Sequence, residues 1–407
     1  MRDKELYTRI LDLPKPWEVK EVRLDLEKEE IVIEVVYGGA RAPCPECGKA
    51  CEKYDHRDMR RWRYLDTCQY KTYIECSVPR VNCREHKVKT IEVPWSERHN
   101  HYTKIFERFA IDILLSVKKQ TKAAKILRLS FDQIHEIMKR AVRRGLRRRD
   151  VEDVPEYVGL DEKSIGRHHH YTSSFYDIKG QRVIDVEENR DEESARKLID
   201  KSIPKDQRSR IKAIVIDFWK PYKKAARELL PETDIVYDHF HIIKQLNNAI
   251  DETRREEINN LDKDEKKNLK GIRYLLLKDP EVWTEKQRQR FKVIQAINAK
   301  VAQAWKLKED FKGFFHCADV NEGIIYLTAW FRSVYQSELR YVKEAAKTFM
   351  RNIKGIINYL EHRITNSIAE SINGLIKEII YMARGFIAFE NFRMSILFYL
   401  GKLDLYP

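Results

Sequence analysis

No run of about 18 apolar residues occurs in the 407-residue sequence, which argues against a transmembrane helix. The opening residues, MRDKELYTRI, have no apolar signal-peptide core, so a cytoplasmic location is expected. Acidic side chains are in deficit: 64 Asp and Glu face 78 Lys and Arg, giving a formal net charge of +14. An excess of this size favours polyanionic partners, with nucleic acid first among them. Cysteine is nearly absent outside one stretch, since six of the seven lie between Cys44 and Cys83. In a reducing compartment such clustering points to a metal rather than to disulfides. What is present suffices for real cores: the chain is 43% hydrophobic and long enough for two or three domains.

The segment 22–37 alternates apolar and polar residues and predicts a β-hairpin. Cys44 and Cys47 follow in APCPECGKAC, two residues apart and followed by Gly48. A tight turn of this kind aims two thiolates at one point, and Gly48 tolerates the backbone conformation required. Cys83 and His86 offer a second pair, separated from the first by two further predicted strands. The plan is that of a zinc ribbon, with Cys44, Cys47, Cys83 and His86 as Zn²⁺ ligands. Cys51, Cys68 and Cys76 stand as spare ligand candidates, Cys76 being placed mid-strand where it packs inward. Arg57, Arg60, Arg61, Trp62 and Arg63 form a basic and aromatic run suited to DNA phosphates, or else an ordinary solvated strand.

From Thr103 the apolar period becomes helical. Residues 105–117 predict one helix, and 121–149 predict a short helix, a turn and a longer helix with Ser130 as its N-cap. This is a helix-turn-helix layout, although any three-helix bundle has similar periodicity. Phe131, Asp132, Gln133 and His135 begin the second helix, where base edges would be read. Lys139 and Arg140 continue it towards the block RAVRRGLRRR, part of which also suits a helix C-terminus.

Residues 150–156 resemble a linker. Then come a strand over 157–166 ending near Asp161, a hairpin over 168–188 turning at Lys179-Gly180, and a helix over 190–203. The run IKAIVIDFW (211–219) reads as a strand buried on both faces, with Asp217 at its C-terminal end. Pro221 opens the next helix, so Asp217 is either a ligand carboxylate or a helix N-cap. A further strand and helix occupy 234–246. The order β-β-β-α-β-α-β-α is that of an α/β ribonuclease-H-like fold. Residues 247–363 are charged and helical in pattern, with breaks expected at Gly271, Pro280 and Gly323, and read as an all-helical insertion. A helix beginning at Thr365 or Asn366 carries Glu370 and Asn373, three apart. The partition is therefore 1–100 (β and zinc module), 101–150 (helix-turn-helix), 151–246 (first part of the catalytic core), 247–363 (insertion) and 364–407 (closing helices).

Asp161, Asp217 and Glu370 have matching contexts for a two-metal phosphoryl-transfer site. Such a site needs hard oxygen ligands around two Mg²⁺ ions about 4 Å apart. The chain resembles the DDE transposases of prokaryotic insertion sequences, ISL-three family. The motifs carrying the resemblance are CPECG (44–48), the helix-turn-helix at 121–145, GLDEKSIG (159–166), VIDFWKPY (215–222), YDHFHIIK (237–244) and TNSIAESINGLIK (365–377). The resemblance covers almost the whole chain. It implies Asp161, Asp217 and Glu370 as the triad holding two Mg²⁺ or Mn²⁺ ions, and Asp238 and His241 as a D-x2-H element accessory to the active site. His241 could instead simply anchor its strand-to-helix turn. Where the family's finger often closes with a second cysteine pair, this chain has Cys83 and His86. The resemblance further implies binding of double-stranded DNA, as transposon ends and target, by a homodimer, with no membrane partner. A non-catalytic repressor or domesticated descendant would use the same DNA-binding modules, and a zinc-dependent RNA-binding protein or nuclease is a third reading.

Overall fold

A computed structural model describes residues 3–149, 153–164, 171–260, 271–296 and 300–407. The chain forms two compact units, residues 1–149 with 403–407, and residues 150–402. Residues 165–170, which span the end of the predicted strand 157–166 and the start of the predicted hairpin 168–188, and residues 150–152 of the expected linker lie outside the described residues.

In the first unit a short helix α1 (Asp3–Leu11) precedes β1 (Trp17–Asp25) and β2 (Glu30–Tyr37), the expected antiparallel hairpin. Next come β3 (Arg41–Pro43), β4 (Ala50–Arg63), β5 (Lys71–Cys83) and β6 (Lys87–Thr90). The sheet order is β1-β2-β5-β4-β3, with β6 added to β5. Inward residues alternate along β5: Thr72, Ile74, Cys76 and Val78 are buried. They meet Trp17, Trp62 and Trp95, whose rings pack edge to face at about 5 Å.

Three helices follow: α2 (Lys104–Val117), α3 (Gln120–Leu127) and α4 (Phe131–Arg148). Ser130 caps α4 as expected and closes a full capping box with Gln133. A proposed boundary at residue 100 divides no fold unit, because Arg63 N donates to His101 O and Thr103 N donates to Arg63 O. The C-terminal segment also departs from the expected partition: Leu403–Pro407 belongs to the first unit rather than to the closing helices. Arg144 and Arg148 donate to the carbonyls of Leu405 and Tyr406, and the Tyr406 hydroxyl reaches Asp112 at 2.7 Å.

The second unit is built on β7 (Tyr157–Ser164), β8 (Tyr171–Asp177), β9 (Arg182–Glu188), β10 (Ala213–Ile216) and β11 (Asp234–Tyr237), in the order β11-β10-β7-β8-β9. β7, β10 and β11 are parallel, and β7-β8-β9 is antiparallel. All four residues of β10 are fully buried. Ile214 and Ile216 join the core formed with α5 (Glu192–Ser202) and α6 (Lys220–Leu229). Ala213 and Val215 join the opposite core, with Ile372, Ile376 and Phe392. Burial on both faces is worth ~1.5–3 kcal/mol per large side chain, so this short strand is a fixed point.

After β11, helix α7 (His239–Asn260) runs straight through residue 247, where a subdomain boundary was expected. Helix Ile353–His362 packs on β11, with Asn358 donating to Ile235 O and Tyr237 Oη donating to Asn352 Oδ1. Gly323 is no break: it lies inside helix Val320–Gln336, where a Cβ would stand 2.1 Å from Leu360. The glycine lets the two helices approach. Helices Ser367–Ala383 and Phe389–Leu400 complete this unit.

Candidate active site and metal centre

In the first unit each ligand pair occupies the tight turn of a hairpin, β3-β4 for Cys44 and Cys47, β5-β6 for Cys83 and His86. Gly48 has φ +74°, and its N–H closes the first turn on Cys44 O at 2.8 Å. The four ligand atoms lie within 4.8 Å of one another. Cys44 Sγ is 3.9 Å from His86 Nδ1, Cys47 Sγ is 3.8 Å from Cys83 Sγ, and Cys83 Sγ is 3.6 Å from His86 Nδ1. These are the edges of a tetrahedron whose centre-to-sulfur distance is about 2.3 Å, so the donor set fits Zn²⁺. The His86 backbone N–H and ring bring the Cys83 thiol down to about 6, towards the thiolate that a metal binds. The spare cysteines are accounted for: Cys51 Sγ faces Lys49 O, Cys68 is exposed, and burial pushes Cys76 up to about 12.

The expected DNA-contact residues divide. Arg60 lies over the Trp62 ring, and Arg61 pairs with Glu30 and Glu75 while keeping 44% of its side chain exposed. Arg63 is a correction: it is 4% exposed, pairs with Asp66 and donates to the Tyr64 and Thr72 carbonyls, so it holds the sheet together and does not offer charge to a phosphate. On α4, Gln133 is exposed but its Oε1 accepts the Ser130 N–H, and His135 Nδ1 contacts Gln120 Oε1 at 3.1 Å. Lys139 is 3.7 Å from Glu136, and Arg140 donates to His99 O.

In the second unit β7 continues to Ser164, so Asp161 lies inside the strand rather than at its end. The parallel pairing stops earlier. The last β10–β7 pair is Val215 with Gly159, and the last β10–β11 pair is Ile216 with Tyr237. Counting two residues on from the first pair and one from the second puts Asp161, Asp217 and Asp238 in one row across β7, β10 and β11. Gly159 is required below this row, because a Cβ there would enter the Tyr176 ring at 2.3 Å.

Each carboxylate is held. Asn373 Nδ2 donates to Asp161 Oδ2 at 2.8 Å, and the Trp219 N–H donates to Asp217 Oδ1 at 2.8 Å. Asp217 thus closes a local turn, while Trp219, not Asp217, is the N-cap position of α6. Asp238 is 4% exposed, its Oδ2 is 2.9 Å from His241 Nδ1, and its backbone N–H donates to Ile216 O. Burial pushes Asp161 up to about 6, and Asp217 adds to the shift. Burial also raises Asp217. For His241 burial opposes the charge, yet the Asp238 hydrogen bond and the charges of Asp238, Asp217 and Asp161 raise it above its ordinary value. Carboxylates that are half-buried or buried and repel one another are a set whose electrostatics a cation would relieve.

Glu162 was missed by sequence reasoning. It is half-buried, lies in the field of Asp217 and Asp161, and is pushed up to about 7, chiefly by burial. Its Oε2 has no partner among the described residues. The available signal was its place beside Asp161 in a strand that continues past it. Glu370 is exposed, in the first turn of helix Ser367–Ala383, one turn before Asn373. It lines a cavity of about 570 Å³ with Asp238 and Asn366. Among the described residues, Asp161, Asp217 and Glu370 do not form a group with ligand atoms within 4.8 Å of one another. One other cluster does, Asp234 with Glu361 and His362, but Asn358 and Lys354 already engage Asp234.

No described helix is long and apolar enough to cross a membrane. Residues 158–396 match a family profile described as transposase, of the ISL3 DDE type, and residues 40–86 match the zinc-finger of transposase IS204/IS1001/IS1096/IS1165. The chain is 25% identical over 357 residues to the transposase for insertion sequence element IS1001 of Bordetella parapertussis, covering 87% of each chain. It is 24% identical over 367 residues to the transposase for IS1557 of Mycobacterium tuberculosis, covering 84% of this chain and 82% of the relative. With a zinc-ribbon module ahead of a mixed α/β domain, and a family profile matching more than half its length, the chain belongs to the ISL-three family of DDE transposases of insertion sequences.

Proposed function

We propose that this protein is an active transposase, which binds the inverted-repeat ends of its insertion sequence and catalyses divalent-metal-dependent strand cleavage and strand transfer. The observation that carries this reading is the row of Asp161, Asp217 and Asp238 just past the point where the parallel pairing of β7, β10 and β11 stops, within a chain of the DDE family. We read the second unit as a ribonuclease-H-like core interrupted by a helical insertion. Asp161, Asp217 and Glu370 would hold two Mg²⁺ or Mn²⁺ ions, which when bound supply Lewis-acid activation of the attacking oxygen and charge stabilisation of the leaving oxygen.

The chain's own groups do the positioning. Asn373 fixes one oxygen of Asp161, and helix Ser367–Ala383 carries both Asn373 and Glu370. The Trp219 N–H fixes Asp217. His241 Nδ1 meets Asp238 Oδ2, and protonation of that ring, which the surrounding carboxylates favour, would offset part of the row's negative charge. In this reading water cleaves a phosphodiester to leave a 3′-hydroxyl. That hydroxyl then attacks target DNA in line, with no covalent enzyme intermediate.

The zinc module and α2–α4, read as a helix-turn-helix, would bind the duplex ends. Arg60, Arg61 and Lys139 would contribute phosphate contacts, and the exposed start of α4 at Phe131, Asp132 and Gln133 would face base edges. Binding of this kind weakens steeply with salt. Two ends must meet, so the working form is a homodimer on DNA, acting in the cytoplasm on the nucleoid. The test is incubation of the full chain with Mg²⁺ and linear DNA carrying the ends of its own element. Nicked ends bearing 3′-hydroxyls, and products joined to target DNA, are expected. Bound but uncut DNA across a range of Mg²⁺ and Mn²⁺ would contradict the reading.

A further inference from the structure

Helix α6 opens three residues after Asp217 and carries a basic stripe. Lys223, Lys224 and Arg227 follow Lys220 by three, four and seven residues, so the four share one face, while Tyr222, Ala225 and Ala226 are buried against the core. The placement opposes the helix dipole: the first turn of α6 has no acidic residue and begins with Lys220, where a cation is disfavoured. A local preference broken in this way points to another use for the charge. Two cavities, of about 400 and 230 Å³, lie along the stripe and share Lys223 and Arg227. Arg351, the last residue of helix Arg340–Arg351, lines the smaller one together with Lys354. The carboxylates at the margin are already taken. Glu228 pairs with Arg196, Glu192 with Lys224, and Asp234 with His362 and Lys354. Among the described residues, Lys220, Lys223, Arg227 and Arg351 have no carboxylate partner. Burial and the charge of Arg227 hold the Lys223 amine below its ordinary value, so the cations of this face repel one another. An ordinary solvated helix face interleaves both signs.

The occupant follows from what this face offers and what it lacks. Four cations without carboxylate partners call for a polyanion. The stripe runs about 10 Å along α6 at 1.5 Å per residue. Phosphates of one duplex strand recur every ~3.4 Å of axis, so the stripe spans about three of them. The amide and hydroxyl side chains of the smaller cavity are engaged within the fold. Asn352 is held by Lys223, Tyr237 and Thr348 O, Asn358 by Asp234 and Ile235 O, and Thr233 donates to Ile211 O. Transposon ends must be recognised by sequence, whereas a target duplex needs only to be held by its backbone. We propose that the basic face of α6, completed by Arg351, binds the phosphate backbone of target DNA without regard to its sequence. The stripe starts at Lys220, in the same strand-to-helix connection that carries Asp217, so a duplex held there passes beside the acidic row. The inference rests on the proposed reading that this chain joins ends to target DNA, and adds the surface that holds the target.

The experiment uses the full-length protein without added divalent metal. The probe is a fluorescently labelled duplex of random sequence that lacks the element's ends. Anisotropy titrations over a range of salt give the slope of log affinity against log salt. The triple variant Lys220→Gln, Arg227→Gln, Arg351→Gln should reduce that slope by about 2–3, because each phosphate contact contributes about 0.9. Their side chains are exposed and make no hydrogen bond among the described residues, so their loss leaves the cores untouched. A control variant, Lys286→Gln, Lys292→Gln, Lys306→Gln, removes the same charge from exposed positions of helices Glu285–Ala296 and Lys300–Lys312, and should change the slope by less than about 1. Equal slopes in wild type and the α6 variant, or an equal drop in both variants, would overturn the inference. A second arm identifies the DNA. With precut ends, Mg²⁺ and limiting target duplex, the α6 variant should join ends about 10-fold more slowly, and raising the target concentration should restore the rate. Joining at the wild-type rate on limiting target would overturn the assignment to target DNA. Binding is read without cleavage, so a chain whose α6 face binds duplex yet never cuts end DNA would overturn the proposed function alone.

Discussion

Arg144 is 2% exposed and ties three segments of the first unit together, pairing with Glu97 and Glu107 and donating to Leu405 O. Glu107 is fully buried. Removing the arginine would leave that carboxylate buried without its cation, which costs about 3–5 kcal/mol. Arg144→Met should therefore lower the stability of the first unit by that amount, as measured by urea denaturation. Glu97 gives a pH signature. Burial works against its charge, yet Arg144 holds it below the ordinary 4.5. The folded state then binds fewer protons than the unfolded chain, so this contribution is complete above about pH 4.5 and is lost as pH falls. Glu97→Gln should flatten the acid limb of the stability profile, while leaving the limb unchanged would contradict the pairing. Single residues were legible where chemistry requires a type and a spacing, as at Cys44, Cys47, Cys83 and His86. They were illegible where tertiary partners decide: Arg63 and Arg144 read as surface charge in a basic run, yet both are buried and engaged by carboxylates and backbone carbonyls.

Among the elements, β10 was plain in the sequence because four consecutive apolar residues between Lys212 and Asp217 can only be buried on both faces. Its neighbour β7 was harder. A strand over 157–166 was expected to end near Asp161, but its pairing with β8 carries it to Ser164, and only the earlier end of β10 makes Asp161 a rim position. That is why Glu162 escaped notice. Helix α4 was predicted from Ser130, and its capping box confirms the mechanism. Ser130→Ala should cost about 1 kcal/mol and fray the first turn of α4. Amide exchange at Gln133 would report the fraying, and unchanged protection would show that packing alone holds the helix start. The run through residue 247 could not be divided from sequence, because α7 keeps its helical period on both sides of that point.

For the whole molecule, metal and charge set the behaviour. A Zn²⁺ held by Cys44, Cys47, Cys83 and His86 would clamp the β3-β4 and β5-β6 hairpins together, and binding energy at such sites becomes folding energy. About one Zn²⁺ per chain is expected, and Cys83→Ala should lose it. Chelation should lower the melting temperature of the unit carrying the site. Retention of zinc in the variant would exclude Cys83 as a ligand. The return of Leu403–Pro407 to the first unit was invisible in sequence, since it depends on contacts with residues some 260 positions earlier. The proposed role of Asp161, Asp217 and Glu370 in phosphoryl transfer is tested most directly by comparing wild type with Asp217→Ala on one end-containing DNA, measuring affinity and Mg²⁺-dependent cleavage together. Loss of several kcal/mol of metal-assisted stabilisation corresponds to a rate reduction of roughly a thousandfold. The account predicts unchanged affinity with cleavage down by that factor, whereas full cleavage by Asp217→Ala would contradict it.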